Sequence, residues 1–302
     1  MTLNELRYIV AVANERSFGR AAQRCYVSQP ALSVAIQKLE EELGARLFER
    51  GKSEITVTPV GERVVEQAQK VLEEAAQIKE IAQAGRNQLA GAVRLGVIFT
   101  VAPYLLPDLI PALHELAPQM PLDLEEDLTG HLEVALKSGR IDAAIIALPF
   151  APPGVVTEFL YEEPFQVVVP VGHKWAKRKA IRPDELAAEH PILLNVGHCF
   201  REQVLDACPE LNSAEAQVTR TSSLETVRNM VASGLGVSVL PRDALTPKYH
   251  SRLVVPVPFA RPVPSRRIAL ACRRSFPRPE AIKMIREAVA ACRSGRSARR
   301  PA

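Results

Sequence analysis

Cysteine is scarce in this 302-residue chain: Cys25, Cys199, Cys208, Cys272 and Cys292 are odd in number and widely scattered. That excludes the paired framework of a small secreted domain, and in a reducing compartment any disulfide among them is transient and regulatory. Apolar runs long enough to span a bilayer are missing as well. The run from Ala143 to Val156 is broken by Pro149, Pro152 and Pro153. The opening "MTLNELRYIV" carries Glu5 where a signal peptide carries only positive charge, so a cytoplasmic protein with no membrane span is expected. Catalytic signatures are absent too: no G-x-S-x-G, no Walker loop, no H-E-x-x-H and no pair of C-x-x-C units. Hydrolase, nucleotidase and zinc-enzyme readings therefore have no support, and no cofactor is expected. His198, Cys199 and Cys208 are three metal-ligand types, but adjacent residues share one tetrahedral ion poorly, so no metal is expected either.

A strong charge of one sign is lacking. The net charge is +4, and residues 1–58 hold eight basic residues against seven acidic ones. Any case for nucleic acid must rest on geometry rather than bulk charge. What remains is the composition of an ordinary globular protein, 47% apolar and 24% charged, long enough for two or three domains with cores of their own.

The first ninety residues carry a pattern. Thr2 and Glu5 have capping-box spacing, and Leu3, Leu6, Ile9, Val10 and Ala13 recur at helical intervals, so a first helix is expected to about Asn14. Ser17 opens a short second helix, "SFGRAAQRCYV", with a tight turn at Cys25 to Val27. "SQPALSVAIQKLEEELG" follows, with Ser28 as cap, Pro30 in the first turn and Gly44 as stop. Leu32, Ile36, Leu39 and Leu43 form its expected buried stripe. Gln29, Ser33 and Gln37 lie on the other side. A helix-turn-helix over residues 18–37 results, whose amide and hydroxyl groups can bridge base edges while Ser28 and the helix N-terminus hold a phosphate. "LFERGKSEITVT" reads as two short strands forming a wing that places Arg50 and Lys52 on the DNA backbone or minor groove. A plain helical bundle with a solvated polar face is the alternative.

Thr58 and Pro59 open a longer helix. Val64, Ala68, Val71, Ala75, Ile78 and Ala82 step by 4, 3, 4, 3, 4, a heptad seam suited to a two-chain coil, or to packing on its own domain. From Gly91 the period changes to an α/β alternation: "AVRLGVI", "LDLEED" and "AAIIAL", then "FQVVVPV", "PILLN", "AQVTRT" and "GVSVLP", then "RRIALACR" and a last helix over about Pro279 to Cys292. The basic tail "RSGRSARRPA" is expected to be disordered. Two lobes with crossovers near Tyr161 and Arg266 follow from this order. Thr100 and Thr129 each stand just past a strand, where the hydroxyl either faces a small polar ligand in the cleft or caps its own helix.

"GHCFREQVLDAC" puts Cys199 at or near a helix N-terminus, with Cys199 and Glu202 at capping-box spacing. A thiolate there is favoured by the helix dipole, His198 and Arg201, and opposed by Glu202. Nine residues of α-helix rise about 13.5 Å and turn through about 900°. A disulfide tolerates Cα atoms only to about 6.8 Å apart. If the segment is helical when reduced, joining Cys199 to Cys208 must unwind it. Packing of both cysteines as small hydrophobes is the competing reading.

"FGRAAQRCYVSQPALSVAIQKLEEELGARLFER" resembles the winged helix-turn-helix of LysR-type transcriptional regulators, and "TPVGERV" resembles the start of their linker helix. The resemblance continues through "SSLETVRNMVASGLGVSVLP" and so spans nearly the whole chain. It implies an α/β multi-domain chain: a DNA-binding domain (1–58), a coiled-coil dimerising linker helix (59–90) and a two-lobed effector domain (91–302) resembling periplasmic binding proteins. Lobe I would hold 91–161 and 267–302, lobe II 162–266. "GHCFREQVLDAC" further resembles the redox segment of the hydrogen-peroxide-sensing branch of that family. That branch implies Cys199 as the peroxide-reactive thiol, Cys208 as its resolving partner, His198 and Arg266 near the reactive sulfur, and packing roles for Cys25, Cys272 and Cys292. It also implies a homotetramer (dimer of dimers) on double-stranded DNA, activating antioxidant genes with RNA polymerase when oxidised, and reset by glutaredoxin or thioredoxin. Two rivals remain: a LysR-type regulator binding an organic effector at Thr100 and Thr129, and a thiol peroxidase.

Overall fold

Thr2 opens the first helix, α1 (Leu3–Glu15), with a complete capping box: its hydroxyl accepts from the Glu5 amide at 3.3 Å, and the Glu5 carboxylate accepts from the Thr2 amide at 2.7 Å. The computed structural model describes residues 1–50, 55–84, 88–212, 218–249 and 251–298, in two compact units, Met1–Arg86 and Asn87–Ala302. In the first unit Leu6, Ile9 and Val12 of α1 pack with α2 (Phe18–Arg24) and α3 (Gln29–Leu43). Ser17 and Ser28 cap these two helices, and Tyr26, at φ +55°, makes the turn between them. Leu32, Ile36 and Leu39 are buried. Leu43 is not part of that stripe: it sits in the last turn of α3, 40% exposed, beside Met1 and Val60.

β1 (Phe48–Arg50) and β2 (Ile55–Val57) pair antiparallel, Phe48 opposite Val57. Lys52, at the expected tip of the wing, and the side chain of Arg50 lie outside the described residues. Thr58 then caps α4 (Pro59–Ala84), its hydroxyl accepting from the Gly61 amide at 2.9 Å and donating to the Arg46 carbonyl at 2.8 Å. Gly61 is required here because a Cβ would stand 2.2 Å from the Leu47 carbonyl oxygen. The heptad positions of α4 divide. Val64 and Ala68 pack into the first unit's own core together with Leu72, whereas Val71 and Ile78 are exposed. The side chain of Ala82 lies outside the described residues.

The second unit opens with β3 (Val93–Ile98), α5 (Ala102–Leu116), β4 (Leu122–Asp127), α6 (Thr129–Lys137) and β5 (Ala143–Ala147), a parallel β4-β3-β5 arrangement. β6 (Val155–Pro170) follows, then β7 (Pro191–Leu194), α7 (Cys199–Ala207), β8 (Thr219–Thr221), α8 (Leu224–Ala232) and β9 (Val237–Pro241). β10 (Val254–Pro258), β11 (Ser265–Arg273) and α9 (Pro279–Ala298) complete it. The strands run β4-β3-β5-β11-β6-β9-β7-β8, with β10 also on β6. β6 serves both ends of this sheet. Its residues Val155 to Pro164 pair with β11, and from Phe165 it pairs with β9 and, from Gln166, with β10. One apolar core lies on each side of that change, the first around β3, β5, α5 and α9, the second around β6, β7, α7 and α8.

Two further expectations need correction. β10 was not foreseen, because two prolines in five residues hide a strand in sequence; the pairing on β6 tolerates them. The basic tail is not disordered from Arg293: α9 continues to Ala298, and Arg293 is held by an ion pair to Asp243. No helix among the described residues is long and apolar enough to cross a membrane.

Candidate redox site

α7 is short, and its two ends face different surroundings. Phe200, Val204 and Leu205 are buried in the second core, with Phe200 edge-on to Phe165 at a 5.0 Å ring separation. Cys199, the first residue of the helix, packs partly buried against the first core instead. Cys208 follows the last turn and is fully buried in the second core. Burial, with Glu210 nearby, pushes the Cys208 thiol up to about 12, so it stays protonated where it lies. Burial likewise raises Cys25, and raises Cys272 to about 11, which leaves both poorly nucleophilic.

His198, not Cys199, is the residue that precedes the helix, and its side chain makes no capping bond; the capping box suggested by Cys199 and Glu202 does not form. The imidazole is buried, which pulls its titration down, and its hydrogen bond to the Ser222 carbonyl opposes this only in part. His198 is accordingly neutral at physiological pH and adds a dipole rather than a charge beside Cys199. Arg201 does not lend an unpaired cation to the thiol either, since its guanidinium is paired with Glu202 at 2.5 Å. Ahead of the helix, Gly197 turns at φ +101°, and a Cβ there would meet Leu128 Cδ1 at 3.1 Å. This close approach sets the loop before Cys199 on the start of α6, where Thr129 lies.

Arg266 supplies the buried positive charge. The register of β11 on β6 places it directly opposite Glu163, whose carboxylate accepts from Arg266 Nε at 2.7 Å. The same guanidinium donates from Nη1 to Thr100 Oγ1 at 2.8 Å and from Nη2 to the Thr100 carbonyl at 3.0 Å, and lies 4.9 Å over the Phe200 ring. Burial alone would lower Arg266. The Glu163 carboxylate and the Cys199 sulfur outweigh it and hold the guanidinium above its ordinary value. Thr100 therefore does not cap α5; it orients Arg266. Thr129 does not cap α6 by its side chain, whose hydroxyl oxygen is buried with no hydrogen-bond partner in a half-buried residue. Gln203 joins α7 to the chain after β5 through its Nε2, which donates to the Leu148 carbonyl at 3.1 Å.

The structure thus brings Cys199, His198, Arg266 and Thr100 into one neighbourhood and carries Cys208 away from it. Glu163 and Phe200 were missed in sequence. The signal for Glu163 was a carboxylate inside the strand "YEEPFQVVVP", where a buried acid demands a cation opposite it. Among the described residues no cluster of His, Cys, Asp and Glu is arranged to hold a metal ion. In the first unit, Ser28, Gln29, Pro30 and Gln37 are exposed on α3 and Ser33 is half-buried, so the start of this helix is free to meet a groove.

A helix-turn-helix followed by a mixed α/β unit with a buried polar junction defines a ligand- or signal-responsive DNA-binding regulator. Residues 3–62 match the bacterial regulatory helix-turn-helix protein model of the lysR family, and residues 86–293 match the LysR substrate binding domain. The chain belongs to the LysR family. Within it, the chain is 39% identical over 295 residues to the DNA-binding transcriptional dual regulator OxyR of Escherichia coli K12, covering 98% of this chain and 97% of the relative. Its structure is similar to that of full-length OxyR C199D from Pseudomonas aeruginosa, with a TM-score of 0.78 and 52% identity over 97% of this chain and 95% of the other. The reduced form of the OxyR regulatory domain from the same organism matches at TM-score 0.64 and 47% identity, over 68% of this chain and all of the other.

Proposed function

We infer that this chain is a DNA-binding transcriptional activator that responds to hydrogen peroxide through Cys199 and Cys208. The observation that carries the reading is the asymmetry of α7: a partly exposed thiol beside the buried Arg266 at one end, and a protonated, buried thiol past the other. In the proposed reaction the Cys199 thiolate attacks one peroxide oxygen, the O–O bond breaks, and the departing hydroxide takes up a proton to leave as water. The sulfenic acid then forms a disulfide with the Cys208 sulfur, which gives up its proton as a second water leaves. Thr100 and the unpaired Thr129 hydroxyl are suited to hold a small polar molecule such as peroxide near the sulfur.

Resolution is coupled to refolding. Cys208 must leave the second core and α7 must come apart before the two Cα atoms approach within disulfide range. Lobes spanning 91–161 with 267–302 and 162–266 would shift against each other as α7 refolds, altering how the copies of a dimer of dimers present their recognition helices. Gln29, Ser33 and Gln37 would then read bases, Ser28, Arg50 and Lys52 would contact phosphates, α4 would pair two chains through Val71 and Ile78, and RNA polymerase would be recruited. Glutaredoxin or thioredoxin would restore the thiols. The test is mass spectrometry of the reduced protein after a pulse of peroxide near equimolar, alongside binding to promoter DNA. A 199–208 crosslink and an altered footprint are expected in the wild type and neither in Cys199→Ser. An organic effector that moves the footprint without any crosslink would establish the effector-binding reading instead. Repeated turnover with reductant present would mark a peroxidase.

A further inference from the structure

Residues 85–92 carry the chain from α4 into β3, so any signal that travels along the backbone passes through them. Residues 88–92 are fastened by one side chain. Arg278, just ahead of α9, donates from Nε to the Gln88 carbonyl at 2.9 Å, from Nη1 to the Ala92 carbonyl at 2.9 Å and from Nη2 to the Gly91 carbonyl at 3.0 Å. The Gln88 side chain returns the contact, its Oε1 accepting from the Glu280 amide in the first turn of α9 at 3.1 Å. Leu89 packs against the first core of this unit, and the Gly91 amide donates to the Gln119 carbonyl at 3.0 Å.

Burial does not demand this arrangement. Residues 90–92 are exposed, so water could satisfy the Gly91 and Ala92 carbonyls. A planar guanidinium supplies what water cannot: its donors point in fixed directions, and holding these carbonyls together fixes the path of the segment. The place of the clamp in the sheet matters as much. β3 and β11 flank β5 and run in opposite directions, since β3 pairs with it parallel and β11 antiparallel. Beyond the end of β3, Thr100 accepts from Arg266 of β11. Before the start of β3, Ala92 accepts from Arg278, beyond the end of β11. One arginine thus ties each end of the strip β3-β5-β11, the first in the redox neighbourhood and the second at the linker, ~20 Å away along the length of β3.

We propose that Arg278 is a positioning residue for the DNA response, fastening residues 88–92 to the strip that carries Thr100 and Arg266. Movement of that strip is then delivered to the chain leading back to α4 instead of being lost in a slack loop. The inference rests on the reading that Cys199 and Cys208 sense peroxide, and it concerns transmission alone: Arg278 takes no part in the oxidation.

The experiment uses the full-length protein as Arg278→Gln, Arg278→Lys, Gln88→Ala and Gln88→Glu. Three quantities are read for each: the yield of the 199–208 crosslink after a near-equimolar peroxide pulse, promoter binding in the reduced state, and induction of transcription by RNA polymerase, oxidised over reduced protein. In Arg278→Gln, crosslink and reduced-state binding should stay within about twofold of wild type while induction falls roughly three- to tenfold. Arg278→Lys should resemble it, because an ammonium keeps the charge but not the fork that holds three carbonyls. Gln88→Ala should lose about twofold in induction, and Gln88→Glu should recover it, since its carboxylate still accepts at the start of α9. Deuterium exchange should quicken in the segment around Gly91 and stay unchanged in α7. Wild-type induction in Arg278→Gln overturns the proposal, and so does a crosslink lost in parallel with induction, which would make Arg278 a support of the sensor's fold. Should Arg278→Gln not fold, unchanged induction in Gln88→Ala overturns it equally. No 199–208 crosslink in the wild type removes the underlying reading as well.

Discussion

If oxidation dismantles α7, weakening the packing of that helix must favour the disulfide. Leu205 is the residue to truncate. It is 5% exposed at the edge of the second core and has no part in the chemistry. Leu→Ala in a core costs ~2–5 kcal/mol, and an edge position that can relax falls at about 2–3 kcal/mol. A penalty felt only by the reduced form raises its free energy relative to the disulfide form, so the reduction potential becomes more negative. For a two-electron couple ~30 mV corresponds to ~1.4 kcal/mol, and the expected displacement is about 45–65 mV. The assay is equilibration of wild type and Leu205→Ala in graded dithiol buffers, with the 199–208 disulfide quantified after acid quenching and thiol labelling. Thermal unfolding of both redox forms accompanies it: the reduced form should lose stability and the oxidised form should not. If α7 persists on oxidation, both forms lose stability equally and the potential moves by less than about 10 mV, which refutes the unwinding argument.

Three further outcomes are expected. Gly61→Ala should unfold or severely loosen the first unit, because the added methyl meets the Leu47 carbonyl; far-ultraviolet dichroism on heating and loss of DNA retention would both report it, and an unchanged melting curve would contradict the close approach. Gln29→Ala should weaken binding to the cognate operator by about 1–3 kcal/mol and non-specific DNA hardly at all, with the salt dependence preserved, since an amide reading a base releases no counterions. For His198 the folded group titrates below its unfolded value, so the unfolded chain takes up the proton first. The wild type should therefore lose stability as pH falls from about 7.5 to 5.5, and His198→Asn should show a flatter profile over that range in thermal unfolding.

Local signals in the sequence describe local structure well. Thr2 with Glu5, Ser17, Ser28 and Gly44 each mark a helix boundary that the structure places within a residue or two, since capping depends on atoms three residues apart. "LDLEED" and "PILL" stand as strands for a similar reason. What the sequence conceals is produced by pairing at a distance. The heptad of α4 cannot say which of its positions the chain's own core will take, and Val64 and Ala68 go to that core because α1 presents Leu6 and Ile9 to it. Glu163 and Arg266 stand 103 residues apart, and only the β6–β11 register puts them face to face.

The same distinction bears on sensing. The sequence points to His198 and Arg201 as the cations for Cys199 because they are its neighbours along the chain. In the folded protein burial neutralises the first and Glu202 pairs with the second. The buried cation of this neighbourhood is Arg266, set across the sheet and held by Glu163 and Thr100. A thiol activated by its own helix would lose that activation when the helix unwinds. In the proposed reaction, one activated from β11 would keep its cation on a strand that need not move, while α7, fastened by Phe200, Val204 and Leu205, would be the part that gives way. Under the proposed reaction, separating the source of reactivity from the part that moves would let the first oxidation step proceed before any refolding begins.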